Sequence, residues 1–455
     1  MPKPTLNEIA EDLRMTSQWE LHQTSDLIAR GKLLIGDGYR GKNEELANHG
    51  LPFARAGNIN GGFEFADADH FPEENLHQVG NKVSQPGDVV FTSKGTVGRF
   101  AFVKDNTPQF VYSPQLCFWR SLDLDLINPR FLFYWMSGRE FFVQFSGVAG
   151  QTDMAEYVSL GDQRKMHITL PSPREQRAIG NILGTLDDKI ELNRRMNETL
   201  EALARALFKS WFVDFDPGRA KAEGRDPGLP KPLADLFPDR FVDSELGEIP
   251  QGWQLGPILI CAELFSGGTP KTDRAEFWGG PVSWASAKDV SQCGQTFLLD
   301  TERKITAKGL EESATQLIPA FSTVVVARGA TTGRIVLFGR EMAMNQTCYA
   351  LKSKLNAPFA LYCQLRQEIN ALVHAAHGSV FDTITTSTFT NSKVVIPTPE
   401  LIAAFERLAA PVFLRILSNT DESRTLATLR DILLPKLISG ELRIYDAEKL
   451  AAWVL

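Results

Sequence analysis

Residues Leu170 to Phe212 read LPSPREQRAIGNILGTLDDKIELNRRMNETLEALARALFKSWF, and their punctuation predicts one long helix. Ser172 stands at the N-cap, Pro173 at the first helical position and Glu175 at the third, where its carboxylate reaches back to the exposed N–H groups. No proline follows until Pro217, and apolar residues recur at three- and four-residue steps: Ile179, Ile182, Leu186, Ile190, Met196, Leu200, Leu203, Leu207 and Trp211. The remaining faces carry Asp187, Asp188, Lys189, Glu191, Arg194, Arg195, Glu198, Glu201, Arg205 and Lys209. Such a narrow stripe is a seam for one partner helix rather than a face buried in a broad core.

The partner lies in the same chain. Pro397-Thr398-Pro399-Glu400 repeats the opening Pro171-Ser172-Pro173-Arg174, and a constant shift of 226 (397 minus 171) carries Ile190 to Ile416, Asn193 to Asn419, Leu200 to Leu426, Leu207 to Leu433 and Trp211 to Leu437. The chain therefore reads as two copies of one unit, each a variable region followed by a long helix. With the helices taken as Arg174–Phe212 and Glu400–Ile438, an antiparallel pair crosses near Asn193 and Asn419. Those two asparagines occupy the seam register and are expected at its pseudo-two-fold centre, where a polar pair fixes alignment.

A chain of 455 residues with 43% hydrophobic composition is long enough for two to four domains, each with its own core. No stretch approaches the about 18 to 20 apolar residues of a membrane span, and the opening MPKPTLNEIAEDL lacks the features of a signal peptide, so a cytoplasmic location is expected. The five cysteines are scattered without a CxxC pair, which indicates neither a disulfide framework nor a zinc site. The net charge of −7 argues mildly against nucleic-acid binding by the chain as a whole but leaves room for a local basic face.

Six segments follow: a variable domain at 1–170, a long helix at 171–212, a proline-rich linker at 213–245, a second variable domain at 246–396, a second long helix at 397–438 and a tail at 439–455 for which a short strand is expected. The fold class is α+β, two similar mixed domains separated by a pair of long antiparallel helices. The variable regions replay one order. Trp253-Gln254-Leu255 matches Trp19-Glu20-Leu21, and Asn345-Gln346-Thr347-Cys348 matches Pro114-Gln115-Leu116-Cys117. The hairpin read in Pro86 to Val103 returns in Thr323 to Arg334 with one extra residue.

Those turns are the best candidates for ligand contact. Glycine lets backbone approach a phosphate, threonine donates to phosphate oxygens, and arginine bonds a guanine edge with two parallel hydrogen bonds. Lys94, Gly95, Thr96, Gly98 and Arg99 carry this chemistry in the first copy, and Arg328, Gly329, Thr331, Thr332, Gly333 and Arg334 in the second. Gln115 and Gln346, beside the matching strand, and Thr269 and Lys271 in the loop Ser266-Gly-Gly-Thr-Pro-Lys271 complete the candidate DNA-binding set. The bland reading is of solvated turns whose glycines serve backbone geometry. Duplication weighs against it.

The remaining polar features read as structural. His374 and His377 stand at helical spacing without a carboxylate at ligand spacing, and Asp187-Asp188-Lys189 reads as a solvated helix face. No Walker pair, no GxGxxG after a strand, no methyltransferase loop and no nucleophile triad is present. No catalytic residue and no metal ligand is expected in this chain.

Leu186-Asp-Asp-Lys-Ile-Glu-Leu-Asn193, then Leu207-Phe-Lys-Ser-Trp-Phe-Val-Asp-Phe-Asp-Pro217, and Asp243-Ser-Glu-Leu-Gly-Glu-Ile-Pro-Gln-Gly-Trp253 resemble the conserved regions of the specificity subunit, HsdS, of type I restriction-modification systems. The resemblance spans essentially the whole chain. It implies two target recognition domains, each reading half of a split site in double-stranded DNA. It also implies two modification (methyltransferase) subunits docked on the helices and two restriction (translocase/nuclease) subunits joining them. S-adenosylmethionine, ATP and Mg would belong to those partners, with no cofactor in this subunit and no membrane contact. The competing reading is a structural coiled-coil scaffold without DNA recognition.

Overall fold

The structure, a computed structural model, describes residues 19–59, 61–94, 98–149, 158–376 and 383–452. It divides into two compact units, Met1–Ile190 with Thr425–Leu455, and Glu191–Arg424. The first and second long helices, Pro173–Phe212 and Pro399–Ile438, are each 40 residues long, and both ends are related by the same shift of 226 (399 minus 173). Each contributes one segment to each unit. Ser172 and Glu175 cap the first helix reciprocally: the Ser172 N–H and hydroxyl donate to the Glu175 carboxylate at 3.0 and 2.7 Å, and the Glu175 N–H donates to the Ser172 hydroxyl at 3.4 Å.

The first unit contains β1 (Glu20–Gln23), β2 (Leu33–Asp37), β3 (Leu51–Ala54), β4 (His70–Phe71), β5 (Val89–Thr92), β6 (Phe100–Phe102), β7 (Val111–Tyr112), β8 (Leu116–Ser121) and β9 (His167–Leu170). The main sheet runs β2-β8-β5-β6, all antiparallel. A smaller sheet, β4-β3-β7, joins β3 to β7 in parallel, and β1 pairs with β9 just before the first long helix. All four residues of β5 are buried because the sheet is covered on both sides. Val89 and Phe91 face a cluster with helix residues Ile179, Leu183, Leu186, Leu426 and Leu433, whereas Val90 faces Ala101, Phe110 and Phe118.

The second unit contains β10 (Phe241–Ser244), β11 (Gly247–Pro250), β12 (Gln254–Gly256), β13 (Ala262–Ser266), β14 (Trp278–Ala285), β15 (Phe297–Leu298), β16 (Arg303–Ile305), β17 (Thr323–Val326), β18 (Ile335–Phe338), β19 (Ala343–Met344), β20 (Cys348–Ser353) and β21 (Val394–Ile396). Its sheets β13-β20-β17-β18-β15 and β16-β14-β19 and its pair β12-β21 repeat the first unit, with β15 as an added parallel edge. The 213–245 segment is built rather than bare linker. It holds short helices at Asp216–Ala222 and Lys231–Ala234 and leads into the β10-β11 hairpin, burying Phe215 and Phe237 with Trp211, Phe212 and Trp253.

Within each unit the helix segments run antiparallel. In the first, the Arg430 guanidinium pairs with Asp187 at 2.7 Å. In the second, Asn193 faces Glu422, Asn197 faces Thr420, and Phe208 lies 5.4 Å from Phe405. Asn193 and Asn419 are both buried, at 0% and 1% exposure, and face one another. The Asn193 amide donates to the Asn419 carbonyl at 3.4 Å and the Glu422 carboxylate at 2.7 Å, while Asn419 donates to Asn197 Oδ1 at 2.8 Å. The Oδ1 atoms of both have no partner among the described residues.

Four sequence expectations need correction. Leu203 is 59% exposed, and Ala204, Phe208 and Phe212 are buried beside the expected Trp211. A straight helix drifts by about 20° per heptad against a 3.5-residue stripe, so the buried face turns as it leaves the two-helix seam. Asp187 and Asp188 are latches within the first unit, not a solvated face. The Tyr134 hydroxyl donates to Asp187 at 2.6 Å, and Lys104 and Arg130 donate to Asp188 at 2.8 and 2.6 Å. Burial alone would raise the Asp188 carboxyl; the bonds from Lys104 and Arg130 outweigh it and hold the group below the ordinary carboxylate range. Gly184 makes room for this latch, since a Cβ there would meet the Arg130 guanidinium at 2.2 Å.

The third correction concerns the tail, which forms a helix, Ile444–Ala452, rather than a strand, and buries Ala447 and Ala451 in the first unit's core. The fourth is the matching of Gln346 and Cys348 to Gln115 and Cys117. Thr92 pairs with Leu116 and Val326 with Cys348, so Cys348 is the counterpart of Leu116 and Gln346 that of Pro114. A one-residue slip along a strand exchanges its faces. Cys117 accordingly packs on the helix side and Cys348 on the opposite side.

Candidate nucleic-acid interface

Three loops meet in each unit. They are the hairpin turn between the two central strands, the turn preceding β8 or β20, and the segment following β3 or β14. The two hairpins close on the same hydrogen bonds: Thr92 N–H to Arg99 O and Gly98 N–H to Thr92 O in one, Val326 N–H to Arg334 O and Gly333 N–H to Val326 O in the other. Gly98 and Gly333 have φ of 92° and 88°, the left-handed region that favours glycine. Gly95 and Thr96 lie outside the described residues, as does His377; His374 lies in the helix Pro358–Ala376, its side chain outside the description.

In the first unit, Arg99 and Gln115 grip one short turn from two sides. The exposed Arg99 guanidinium donates to the carbonyls of Ala56 and Ile59 at 3.4 and 3.3 Å. The Ala56 N–H donates to Gln115 Oε1 at 3.0 Å, and the Arg55 N–H donates to Asn58 Oδ1 at 2.8 Å. The Gln115 carbonyl accepts from the Ser93 N–H at 2.9 Å, which ties the turn before β8 to the hairpin beside Lys94. Arg55 extends from the same turn and pairs with Asp69 at 2.7 Å.

The second unit uses the same places differently. Arg328 and Arg334 are exposed, and neither guanidinium has a hydrogen-bond or ion-pair partner among the described residues. Thr331 accepts from the Ser291 hydroxyl at 2.7 Å, and the Thr332 hydroxyl donates to the Gly329 carbonyl at 2.7 Å. The Ser286 N–H donates to Asp289 at 2.8 Å, the counterpart of the Arg55–Asn58 bond. The Thr269 hydroxyl donates to Gln346 Oε1, so the glycine loop joins the site. Trp284 and Trp278 donate to the carbonyls of Gly268 and Lys271 at 3.0 and 3.2 Å, and the Arg303 guanidinium stacks 3.5 Å above Trp278. Gly267 is required by close approach, since a Cβ would lie 2.0 Å from the Asn345 carbonyl.

The strands beneath are held by unlike chemistry. In the first unit the Asp88 carboxylate accepts from the Gln85 N–H at 2.9 Å, the Tyr112 hydroxyl at 2.6 Å, Arg120 Nε at 2.6 Å and Arg120 Nη2 at 2.7 Å. Burial, with Asp88 beside it, pushes the Tyr112 phenol well above its ordinary range, so it remains a donor. Strand register places Ser322, Met344 and Lys352 at the matching positions, with Lys352 exposed and the buried Ser322 hydroxyl without a partner among the described residues. Burial likewise pushes the Cys117 thiol up and the Cys348 thiol to about 12, so both remain protonated apolar filling. Among the described residues no group of three His, Cys, Asp or Glu side chains is placed to hold a metal ion.

Sequence reasoning missed the Arg55–Ile59 turn, Arg303 and the two tryptophans. The repeated turn of Arg55-Ala-Gly-Asn58 and Ser286-Ala-Lys-Asp289, each an acceptor three residues after its donor, was the available signal for the first.

The sequence matches the family described as the type I restriction modification DNA specificity domain over residues 18–202 and 250–405. It is 27% identical over 409 residues to the type I restriction enzyme HindI specificity subunit of Haemophilus influenzae, covering 79% of this chain and 88% of that one. It is 24% identical over 379 residues to the MjaIX specificity subunit of Methanocaldococcus jannaschii, covering 82% of each. The crystal structure of the type I restriction-modification S subunit from M. genitalium has the same fold, with a TM-score of 0.57, 14% identity and coverage of 96% of this chain and 98% of that one.

Proposed function

The chain belongs to the type I restriction-modification DNA specificity family, and on that premise we propose that it reads a bipartite site in double-stranded DNA, one unit per half-site. The observation that carries this reading is the repeated three-loop site: two hairpins closed by the same hydrogen bonds, each bearing a terminal arginine, on units whose supporting cores have diverged. The candidate contacts are the hairpin residues Lys94, Gly98, Arg99, Arg328, Gly329, Thr331, Thr332, Gly333 and Arg334, with Gln115, Gln346, Thr269 and Lys271 beside them. Positive hairpins on a chain of net charge −7 concentrate attraction for phosphate at two places.

The same reading gives the helices the work of recruitment. Two modification subunits dock on them and two restriction subunits complete the assembly in the cytoplasm; S-adenosylmethionine, ATP and Mg act in those partners while this chain supplies the address. No helix among the described residues is long and apolar enough to cross a membrane. The test is binding of the full chain, co-expressed with its modification subunit, to duplexes carrying randomised half-sites at several salt concentrations. Selection of two separate half-sequences, with affinity falling by a power of about 0.9 per phosphate contact as salt rises, is expected. Binding without sequence preference, or none, leaves the scaffold reading.

A further inference from the structure

We infer that Gln115 reads a guanine edge as a hydrogen-bond donor, an inference that rests on the DNA-reading role of the first unit. Gln115 is exposed at the turn before β8, between the hairpin and the Ala56–Ile59 turn. Its amide oxygen is turned toward the Ala56–Ile59 turn, because it accepts from the Ala56 N–H at 3.0 Å. A backbone N–H only donates, so the accepting atom is the oxygen and the outward atom is Nε2. That nitrogen has no partner among the described residues. The main chain at Gln115 is fixed as well, through the Ser93 N–H on its carbonyl, and Arg99 holds the far side of the Ala56–Ile59 turn.

A glutamine with both amide atoms free pairs with adenine, donating to N7 and accepting from the N6 amino group. Gln115 is built for the other purine. Guanine presents two adjacent acceptors, N7 and O6, in the major groove, and the two hydrogens of Nε2 match them. Adenine recognition would require the same oxygen to take a second hydrogen bond, from the N6 amino group, while it faces the turn that Arg99 also holds. Gln346 lies one register position away, and its oxygen is held by the Thr269 hydroxyl instead. A hydroxyl can also accept, so the donor argument is made for Gln115 alone.

The decisive variant is Gln115→Glu. A carboxylate still accepts from the Ala56 N–H, so the turn stays closed, but the outward donor becomes an acceptor. The full chain, co-expressed with its modification subunit, is used to select from duplexes with each half-site randomised. The wild type is expected to select a guanine at one position of one half-site. Gln115→Glu is expected to lose that preference by roughly ten- to a hundredfold, and to favour there a base presenting an amino group. The other half-site should be unchanged. Gln115→Ala should lose the guanine preference without gaining another.

Three results overturn the inference. They are an unchanged preference in Gln115→Glu, an equal loss of affinity for every sequence, and a wild-type adenine at the position that the variant alters. If the wild type selects no half-site at all, the DNA-reading role fails and the inference falls with it, a result distinct from those three because it precedes any substitution.

Discussion

Replacing Asp88 by asparagine tests whether a buried charge cluster, beyond apolar packing, holds the hairpin-bearing strands of the first unit in place. The Asp88 side chain is 0% exposed and that of Arg120 8%. Asparagine keeps the volume of aspartate but turns one oxygen into an amino group among four donors, and it leaves the Arg120 guanidinium without counter-charge. Removing one partner of a buried pair costs about 3–5 kcal/mol, a large share of the about 5–15 kcal/mol that a domain has in total. The second unit is an internal control, since Ser322 and Met344 stand where Asp88 and Tyr112 stand. Hydrogen exchange read by mass spectrometry should show β5 and β8 opening far more readily in Asp88→Asn, with β17 and β20 unaffected. Replacing Asp88, Tyr112 and Arg120 together by apolar residues of similar volume should restore most of the protection. Unchanged exchange in β5 and β8, or an equal rise in both units, would refute the reasoning.

Other perturbations follow from the same geometry. Arg334→Ala should lower the salt dependence of DNA binding by about one phosphate contact, or about 0.9 in the logarithmic slope; an unchanged slope and an unchanged half-site would remove Arg334 from the interface. Arg99→Ala should instead speed proteolysis or exchange at Ala56–Ile59, because its guanidinium caps that turn. Substituting leucine at both Asn193 and Asn419 removes two buried oxygens without partners and should raise the thermal midpoint by about 2–4 °C per kcal/mol gained while loosening the helix register, seen as heterogeneous cross-linking along the seam. Inserting four residues into each long helix adds about 6 Å, so methylation mapping should show the gap between half-sites widened by one or two base pairs of about 3.4 Å, with both half-sequences kept.

The helices were legible because their signals are local and repeated. Ser172, Pro173 and Glu175 mark a start by capping chemistry alone, and the shift of 226 carries the second helix through Pro411 and Pro435, which would otherwise argue for breaks. The hairpins were legible from glycine spacing between apolar runs. What side chains do there was not. Nothing in the sequence around Arg99 distinguishes it from Arg334, yet one is spent on backbone carbonyls about forty positions away in sequence and the other has no partner among the described residues. The Asp187–Asp188 latch was hidden for the same reason, because Lys104 and Arg130 reach it only once the first unit has folded. Matching Gln115 to Gln346 failed by a single residue, since identity of type outweighed strand parity in the comparison.

That single-residue offset has an evolutionary consequence. In a strand the choice of outward or inward side chain is a matter of odd or even count, so one codon gained in the turn before it re-deals every position without moving a backbone bond. β8 and β20 keep the same neighbours in their sheets while Cys117 and Cys348 pack on opposite sides. A duplicated gene of this kind can therefore acquire a new reading surface by a length change that substitutes no residue at all, and two ancestrally identical halves can diverge in what they address before they diverge in how they fold.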